Sequence, residues 1–474
     1  VGRFARTHAP FTTSDAALYL GLPDAVVLEV LSRLEAAGRV ASGTYRPGGN
    51  DREWVDTEVL RRLKRRSLAV LRNEVAAVEP EALGRFLPQW HGVGDTSARP
   101  GRLIEIVRRL QGVALPASVL EPDVLSSRMA YAPSMLDDLL ASGEVVWMGR
   151  EPLGRGDGRL AVYLRDQVPL LWWPPNTEAP SGEIHDRLRQ HLADRGASFW
   201  RDLYAAAEGG DPQQVLDALW DLVWAGEVTN DTMAPLRAFL GKRRRRSGRS
   251  RSLTSATPAA ATGRWYLVTD LLPTVPPSPE EIAKARAEQL LERHGIVTRD
   301  AVLAEGSPGG FAGLYPVFGA MEDAGRVRRG YFIEGLGGAQ FATPGAVDRL
   351  RLADETGVTV MAATDPANPF GAAAPWPSDR FGARRAGAYV VLIDGTLGAY
   401  VERGGRSLTI HPDADPAAIA SGLAQLARSS MPRLTIESID GEPATGSSLL
   451  PHLTAEGFTP GYKGLSLRRR VPRA

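Results

Sequence analysis

The chain has 474 residues, 43% of them hydrophobic, and its 56 Lys and Arg against 55 Asp and Glu leave a formal net charge of +1. Such a length predicts about three domains, and a charge this close to neutral excludes a polycation, so any nucleic-acid surface has to come from local clusters of arginine. The complete lack of cysteine excludes disulfide frameworks, thiolate nucleophiles, Cys-ligated zinc and iron–sulfur clusters, and fits a reducing, cytoplasmic setting.

No apolar run approaches the roughly 18 residues of a membrane span, and no basic-then-apolar leader opens the chain; no membrane partner is expected. The first residue is Val1 rather than Met, and Phe4 already reads as structured sequence. Both features predict a piece of a longer protein.

One pattern then recurs four times along the chain: an amphipathic stretch, a glycine, a charged residue and valine. It reads Leu34 to Gly38-Arg39-Val40, Leu139 to Gly143-Glu144-Val145, Leu222 to Gly226-Glu227-Val228 and Met321 to Gly325-Arg326-Val327. Each glycine falls where a helix C-cap needs the left-handed conformation. Short strands follow at Ser42–Tyr45, Val145–Met148, Val228–Asn230 and Arg328–Ile333. An apolar residue (Phe11, Leu115, Phe199, Val297) stands 27 or 28 positions before each glycine, and Thr13, Ser118 and Thr298 are placed to cap the helices that begin there. Helix, turn, second helix, glycine and β-ribbon is the order of a winged helix-turn-helix; the alternative is a set of helical hairpins with glycine caps. The modules are placed at 1–60, 101–170, 181–235 and 280–352, with a helical connector at 61–100.

The second helices are poor readers of DNA, because base edges and phosphates call for Arg, Lys, Asn or Gln. Residues 24–37 carry one base, Arg33, against Asp24, Glu29 and Glu35; residues 132–142, 212–225 and 310–324 carry none. Scaffold packing is the expected use. Basic residues gather elsewhere: Arg61, Arg62, Lys64, Arg65 and Arg66 on an amphipathic helix, Arg326, Arg328 and Arg329 around the fourth wing, and Lys242 with Arg243, Arg244, Arg245 and Arg246, followed by Arg249 and Arg251. The last group begins a Ser/Thr/Ala-rich stretch, 240–262, read as a basic flexible linker making sequence-blind phosphate contacts or serving as a solvated tether.

After Pro375 the chain turns β-rich. Strands are predicted at 388–393, 397–402, 407–410, 433–439 and 458–468, helices at 414–428 and 447–456, and hairpin turns at Asp394-Gly395 and Asp440-Gly441. Residues 376–474 therefore read as a β-barrel-like α+β domain, and the fold class as multi-domain α+β: tandem winged helices followed by that domain. Arg384, Arg385, Arg403 and Arg406 cluster near its turns, either to grip a nucleic-acid backbone or as solvated loop charges.

No phosphate loop, H-E-x-x-H pair or G-x-S-x-G elbow occurs, and the seven His show no metal-ligand spacing. No metal or cofactor is expected, and Gly335-Leu-Gly337-Gly338 reads as a tight turn. One segment does group chemistry: Gln89-Trp90-His91, an amide, an indole and an imidazole beside Gly92. The trio could orient a water and stack on an extruded base; alternatively Trp90 anchors a helix junction and His91 caps it.

Several stretches resemble the C-terminal region of the large helicase-related protein (Lhr) family: Arg85-Phe-Leu-Pro-Gln-Trp-His-Gly92, Leu120-Glu-Pro-Asp-Val-Leu125, Gly154-Arg-Gly-Asp-Gly158, Pro308-Gly-Gly-Phe311, Arg328-Arg-Gly-Tyr-Phe-Ile-Glu-Gly-Leu336, Ala339-Gln-Phe-Ala342 and Tyr400-Val-Glu-Arg-Gly-Gly-Arg-Ser-Leu408. The resemblance implies an N-terminal superfamily-2 motor, outside this chain, that uses ATP and Mg to move 3′-to-5′ on single-stranded DNA. It also implies similarity to AlkZ-type DNA glycosylases, and a tendency to self-associate. AlkZ-type enzymes use a Gln-x-Gln motif; Gln89-Trp90-His91 resembles it with His91 in place of the second glutamine, and Asp394 is the candidate carboxylate. The expected function is the DNA-associated, oligomerising C-terminal region of an ATP-dependent DNA repair helicase, partnered by DNA, by its own helicase core and by further copies of itself. The alternatives are a glycosylase that excises uracil or a damaged base without ATP, and a pure protein–protein scaffold.

Overall fold

The computed structural model describes residues 1–46, 52–73, 77–97, 99–154, 156–176, 178–241, 257–353 and 356–468. They divide into two compact units, Val1–Ala77 with Phe318–Phe332, and Val78–Val317 with Ile333–Ala474. Lys242, Arg243, Arg244, Arg245 and Arg246, with Arg249 and Arg251, lie outside the described residues.

In the first unit Phe4, Phe11, Val27, Leu31, Val40 and Trp54 fill one core. Thr12, rather than Thr13, caps the helix Thr13–Leu20: its hydroxyl accepts the Asp15 amide while the Asp15 carboxylate accepts the Thr12 amide, a reciprocal box. Thr13 instead accepts the indole N–H of Trp54 at 3.0 Å. The second helix, Asp24–Ala36, is followed by Gly38 at φ 67°, and a three-stranded antiparallel sheet completes the wing, with Glu53–Asp56 between Phe11–Thr12 and Val40–Gly43. On the basic helix Thr57–Asn73, Arg61, Arg62, Lys64, Arg65 and Arg66 are all exposed.

The second unit repeats the plan. Gly158–Leu164 pairs with both Leu115–Pro116 and Val145–Pro152; Arg264–Leu267 pairs with both Ser198–Phe199 and Val228–Asn230; Ile296–Val297 pairs with Gln340–Ala342. The tandem winged-helix reading therefore holds. Thr298 caps its helix through the Ala301 amide, whereas Ser118 lies within a short helix and bonds Asp157. The uncharged face of the helix Pro212–Trp224 packs on the preceding wing: a Cβ placed on Gly149 would stand 1.9 Å from the Val223 carbonyl oxygen.

The C-terminal domain does not close into a barrel. Its main sheet is six-stranded and open, in the order β1 (Val358–Ala362), β2 (Tyr389–Ile393), β3 (Thr396–Val401), β4 (Ser407–Ile410), β5 (Ser438–Ile439) and β6 (Glu442–Pro443). Two features prevent closure. The helix Pro416–Arg428 lies on the sheet, burying Ile419, Leu423 and Leu426 with Val391 and Ala399, so the apolar face is covered by a helix instead of by the sheet itself. The terminal strands, Arg433–Ile436, Gly464–Arg468 and Thr459–Gly461, pair among themselves in a separate sheet and leave β1 and β6 as edges. β1 also begins upstream of the point where the β-rich pattern is readable. Among the described residues no helix is long and apolar enough to cross a membrane.

Candidate active site

Helix α1 (Pro80–His91) opens with Pro80 at its first position and ends at Gly92, φ 67°. Gly84 is pressed against the β2–β3 turn, where a Cβ would lie 1.9 Å from the Gly395 carbonyl oxygen. Arg85 fastens the same junction, donating to the carbonyls of Ala353 at 2.6 Å and Asp394 at 2.8 Å. The helix is thus seated before its last turn presents Gln89, Trp90 and His91.

Helix α2 (Arg102–Leu110) supplies the opposite wall. Leu103, Ile106, Val107 and Leu110 are buried, and Arg108 and Arg109 lie on the other side. Its last carbonyls are held by helix α3 (Pro279–His294): Gln289 Nε2 donates to Arg108 O and Arg109 O at 2.9 and 3.2 Å, and Arg293 donates to Arg109 O and Gln111 O. Behind them Arg293 and His294 share Glu305; burial pushes this carboxyl up, but the two partners more than offset it and hold it at about 2.

Between these helices lies a cleft of about 330 Å³. Gln89, exposed, Trp90, half-buried, and His91, 2% exposed, share one wall. The Trp90 indole donates to Glu292 O at 2.9 Å, and the guanidiniums of Arg109 and Arg349 each lie 5.4 Å from its ring centroid. Six arginines line the space, Arg99, Arg102, Arg108, Arg109, Arg128 and Arg349, with Asp95, Glu105 and Glu292 as the carboxylates. Asp95 pairs with Arg102 at 3.1 Å and is held below the ordinary carboxylate range, first by the Ser97 amide.

His91 is the unusual member. Among the described residues neither ring nitrogen has a hydrogen-bond partner, although buried polar groups are nearly always paired. Burial first, then the charges of Arg128, Arg109, His294 and Arg293, push its pKa well below the usual value, so the ring is a neutral imidazole with one N–H to give and one lone pair to accept. Both nitrogens are shielded from bulk water.

Asp394 stands apart from this wall. It occupies the β2–β3 turn at φ 51°, its carboxylate accepts the Gly357 amide at 2.6 Å, and it does not line the cleft. Arg384 spends its guanidinium on the carbonyls of Asn368, Phe370 and Asp365, and desolvation lowers it to about 10. Arg385, Arg403 and Arg406 are exposed outside the cleft. In the other unit Arg328 is exposed and Arg329 pairs with Glu322 at 3.4 Å. The cleft arginines and Asp95 escape a sequence reading. The Arg face of α2 is visible in its helical spacing, but Arg128 and Arg349 arrive from distant elements.

Residues 78–165 and 276–359 match models of winged-helix domains of the large helicase-related protein, described as its third and fourth. The chain matches the C-terminal region of the Lhr family. It is 43% identical over 474 aligned residues to an Mycolicibacterium smegmatis protein named Lhr helicase/probable uracil glycosylase, covering 93% of this chain and 31% of that protein. It is 33% identical over 517 residues to an Escherichia coli protein named Lhr helicase/uracil glycosylase, covering 98% and 33%. The chain thus spans about a third of the length of these Lhr relatives. Among solved structures, the Streptomyces sahachiroi DNA glycosylase AlkZ superposes with a TM-score of 0.47 at 16% identity, over 77% of this chain and 99% of AlkZ.

Proposed function

We propose that this chain is the base-excision part of an Lhr-type protein: a DNA glycosylase module that removes uracil from DNA without ATP. The observation that carries the reading is His91, a neutral imidazole with both nitrogens unpartnered on the wall of an arginine-lined cleft. Two relatives whose names include uracil glycosylase align with nearly all of the chain.

In this reading a nucleotide swings out of the stack into the cleft. The C1′–N bond breaks and the base leaves with the bonding pair. A water adds to C1′, and its proton passes to the free lone pair of His91, with the amide of Gln89 orienting the water. Asp95, ionised on the same cleft, supplies the negative charge that opposes the cationic sugar.

The surplus of guanidinium decides which base suits the site. Uracil departs as an anion, and the six lining arginines, two more than the carboxylates that pair with them, stabilise it. A cationic alkylated purine meets like charge instead. Uracil is therefore the preferred base of the two classes. Excision draws only on water, and the sequence contains no phosphate loop; the helicase part of the relatives' names, and DNA translocation with it, belongs to a motor elsewhere in such proteins.

The test is a single-turnover incubation with uracil-containing DNA, free of ATP and metal, read as alkali-labile sites. Wild type should produce them, His91→Ala should reduce the rate by about 10²-fold or more, and His91→Gln should keep part of it. Full activity in His91→Ala would remove the proposed role.

A further inference from the structure

Four of the six cleft arginines are already matched by carboxylates: Arg99 by Glu105 at 2.9 Å, Arg102 by Asp95 at 3.1 Å, Arg109 by Glu292 at 3.3 Å and Arg128 by Asp365 at 2.6 Å. Arg108 and Arg349 are exposed and have no ion pair among the described residues. Six guanidiniums against four carboxylates thus leave an excess of two, located on these two side chains.

Their backbones are fixed. Arg108 sits near the end of α2, where its carbonyl is held by Gln289. Arg349 belongs to the helix Pro344–Arg351, which packs on α1, and its guanidinium lies 5.4 Å from the Trp90 ring centroid. The same cleft holds His91, 98% withdrawn from solvent and without a partner. Two uncompensated cations beside an unsatisfied neutral donor–acceptor call for a ligand that presents an oxyanion next to a polar, uncharged group.

We propose that Arg108 and Arg349 form a phosphodiester-binding subsite that holds the backbone of the strand whose nucleotide enters beside His91. The assignment to a nucleic-acid strand rests on the glycosylase reading; the anion subsite itself does not. Guanidinium groups suit this task because their N–H fork fits phosphate oxygens and their charge never titrates away.

The experiment is equilibrium binding of the whole chain to single-stranded DNA across a salt series, with no excision measured. Each phosphate contact contributes about 0.7 to the slope of log K against log salt, or about threefold in affinity between about 50 and about 200 mM salt. Arg108→Ala and Arg349→Ala should each lose about that much slope. An oligonucleotide with neutral methylphosphonate linkages beside the uracil should lower the wild-type slope by about as much as the double substitution does, and the slope of the double variant no further. Unchanged slopes together with unchanged inorganic phosphate binding, or a methylphosphonate penalty that persists in the double variant, would overturn the subsite. If inorganic phosphate binding is lost in the variants while the DNA slopes stay intact, the site takes a free anion and the strand assignment falls. Loss of slope in a chain that excises nothing would sink the glycosylase reading alone and leave the subsite standing.

Discussion

Arg128 and Asp365 stand 237 residues apart and meet in a two-point ion pair, at 2.8 and 2.6 Å, with the two side chains 1% and 0% exposed. Arg128 lines the cleft, and Asp365 lies just beyond the end of β1, where it also accepts the Ala367 amide. One side of the cleft is therefore tied to the C-terminal sheet domain by a buried ion pair. Removing one partner strands the other charge, so Arg128→Met and Asp365→Leu should each cost about 3–5 kcal/mol. The double replacement should recover much of that loss in a denaturant melt, and two simply additive losses would contradict this account of the pair.

The protonation of His91 gives a signed prediction. An unfolded histidine titrates near pH 6.5, whereas folded His91 titrates well below, because burial and nearby arginines disfavour its cation. Below about pH 6.5 the unfolded chain holds a proton that the folded one lacks, so this contribution to stability falls as the pH drops. Asp123 acts with the opposite sign: burial pushes it up to about 6, and its contribution is lost as the pH rises through that value. Comparing wild type with His91→Gln from about pH 5 to about pH 8 isolates the histidine. The variant should gain relative stability toward acid, and parallel curves would mean that folded His91 takes up its proton at the same pH as the unfolded residue.

Cleft charge predicts base preference and product. Under single-turnover conditions uracil should be excised at least about tenfold faster than N7-methylguanine, a difference of about 1.4 kcal/mol in the barrier. Among the described residues no lysine lines the cleft, so no Schiff base is expected there and the abasic strand should stay intact until alkali is added. Faster release of the cationic base would contradict the electrostatic argument.

The seat of α1 can be probed far from the chemistry. At Gly84 a Cβ would strike the Gly395 backbone at 1.9 Å, and neither strand turn nor helix can yield cheaply. Gly84→Ala should lower both stability and excision. Gly345→Ala, in a helix with nothing within 4 Å of the new Cβ, should be neutral or stabilising by up to about 1 kcal/mol. Thermal melts of the two variants compare them directly.

Much of this architecture is readable because it is local. The four glycines before Arg39, Glu144, Glu227 and Arg326 all adopt φ between 67° and 77°, and the β2–β3–β4 meander follows from alternating apolar residues and the Asp394-Gly395 turn. Barrel closure is not local: it depends on where the helix Pro416–Arg428 lies and on which strands the terminal hairpin chooses. Gln89, Trp90 and His91 are neighbours in sequence and remain so in space. Asp394 carries the same chemistry on paper but is used for a turn, while Asp95 and Arg102 become site residues through a fold that brings α2 alongside α1. Gly92 shows how tightly they meet, since a Cβ there would lie 2.3 Å from the Arg102 guanidinium.

The central claim is that His91 assists base removal. The most direct measurement is the rate of alkali-labile site formation on uracil-containing DNA, with no nucleotide or metal added, for wild type, His91→Ala and His91→Gln. The account predicts excision by wild type, loss in the alanine variant and partial recovery in the glutamine variant, all three binding DNA with the same salt dependence. Equal rates in all three proteins, or no excision by a folded, DNA-binding wild type, would contradict it.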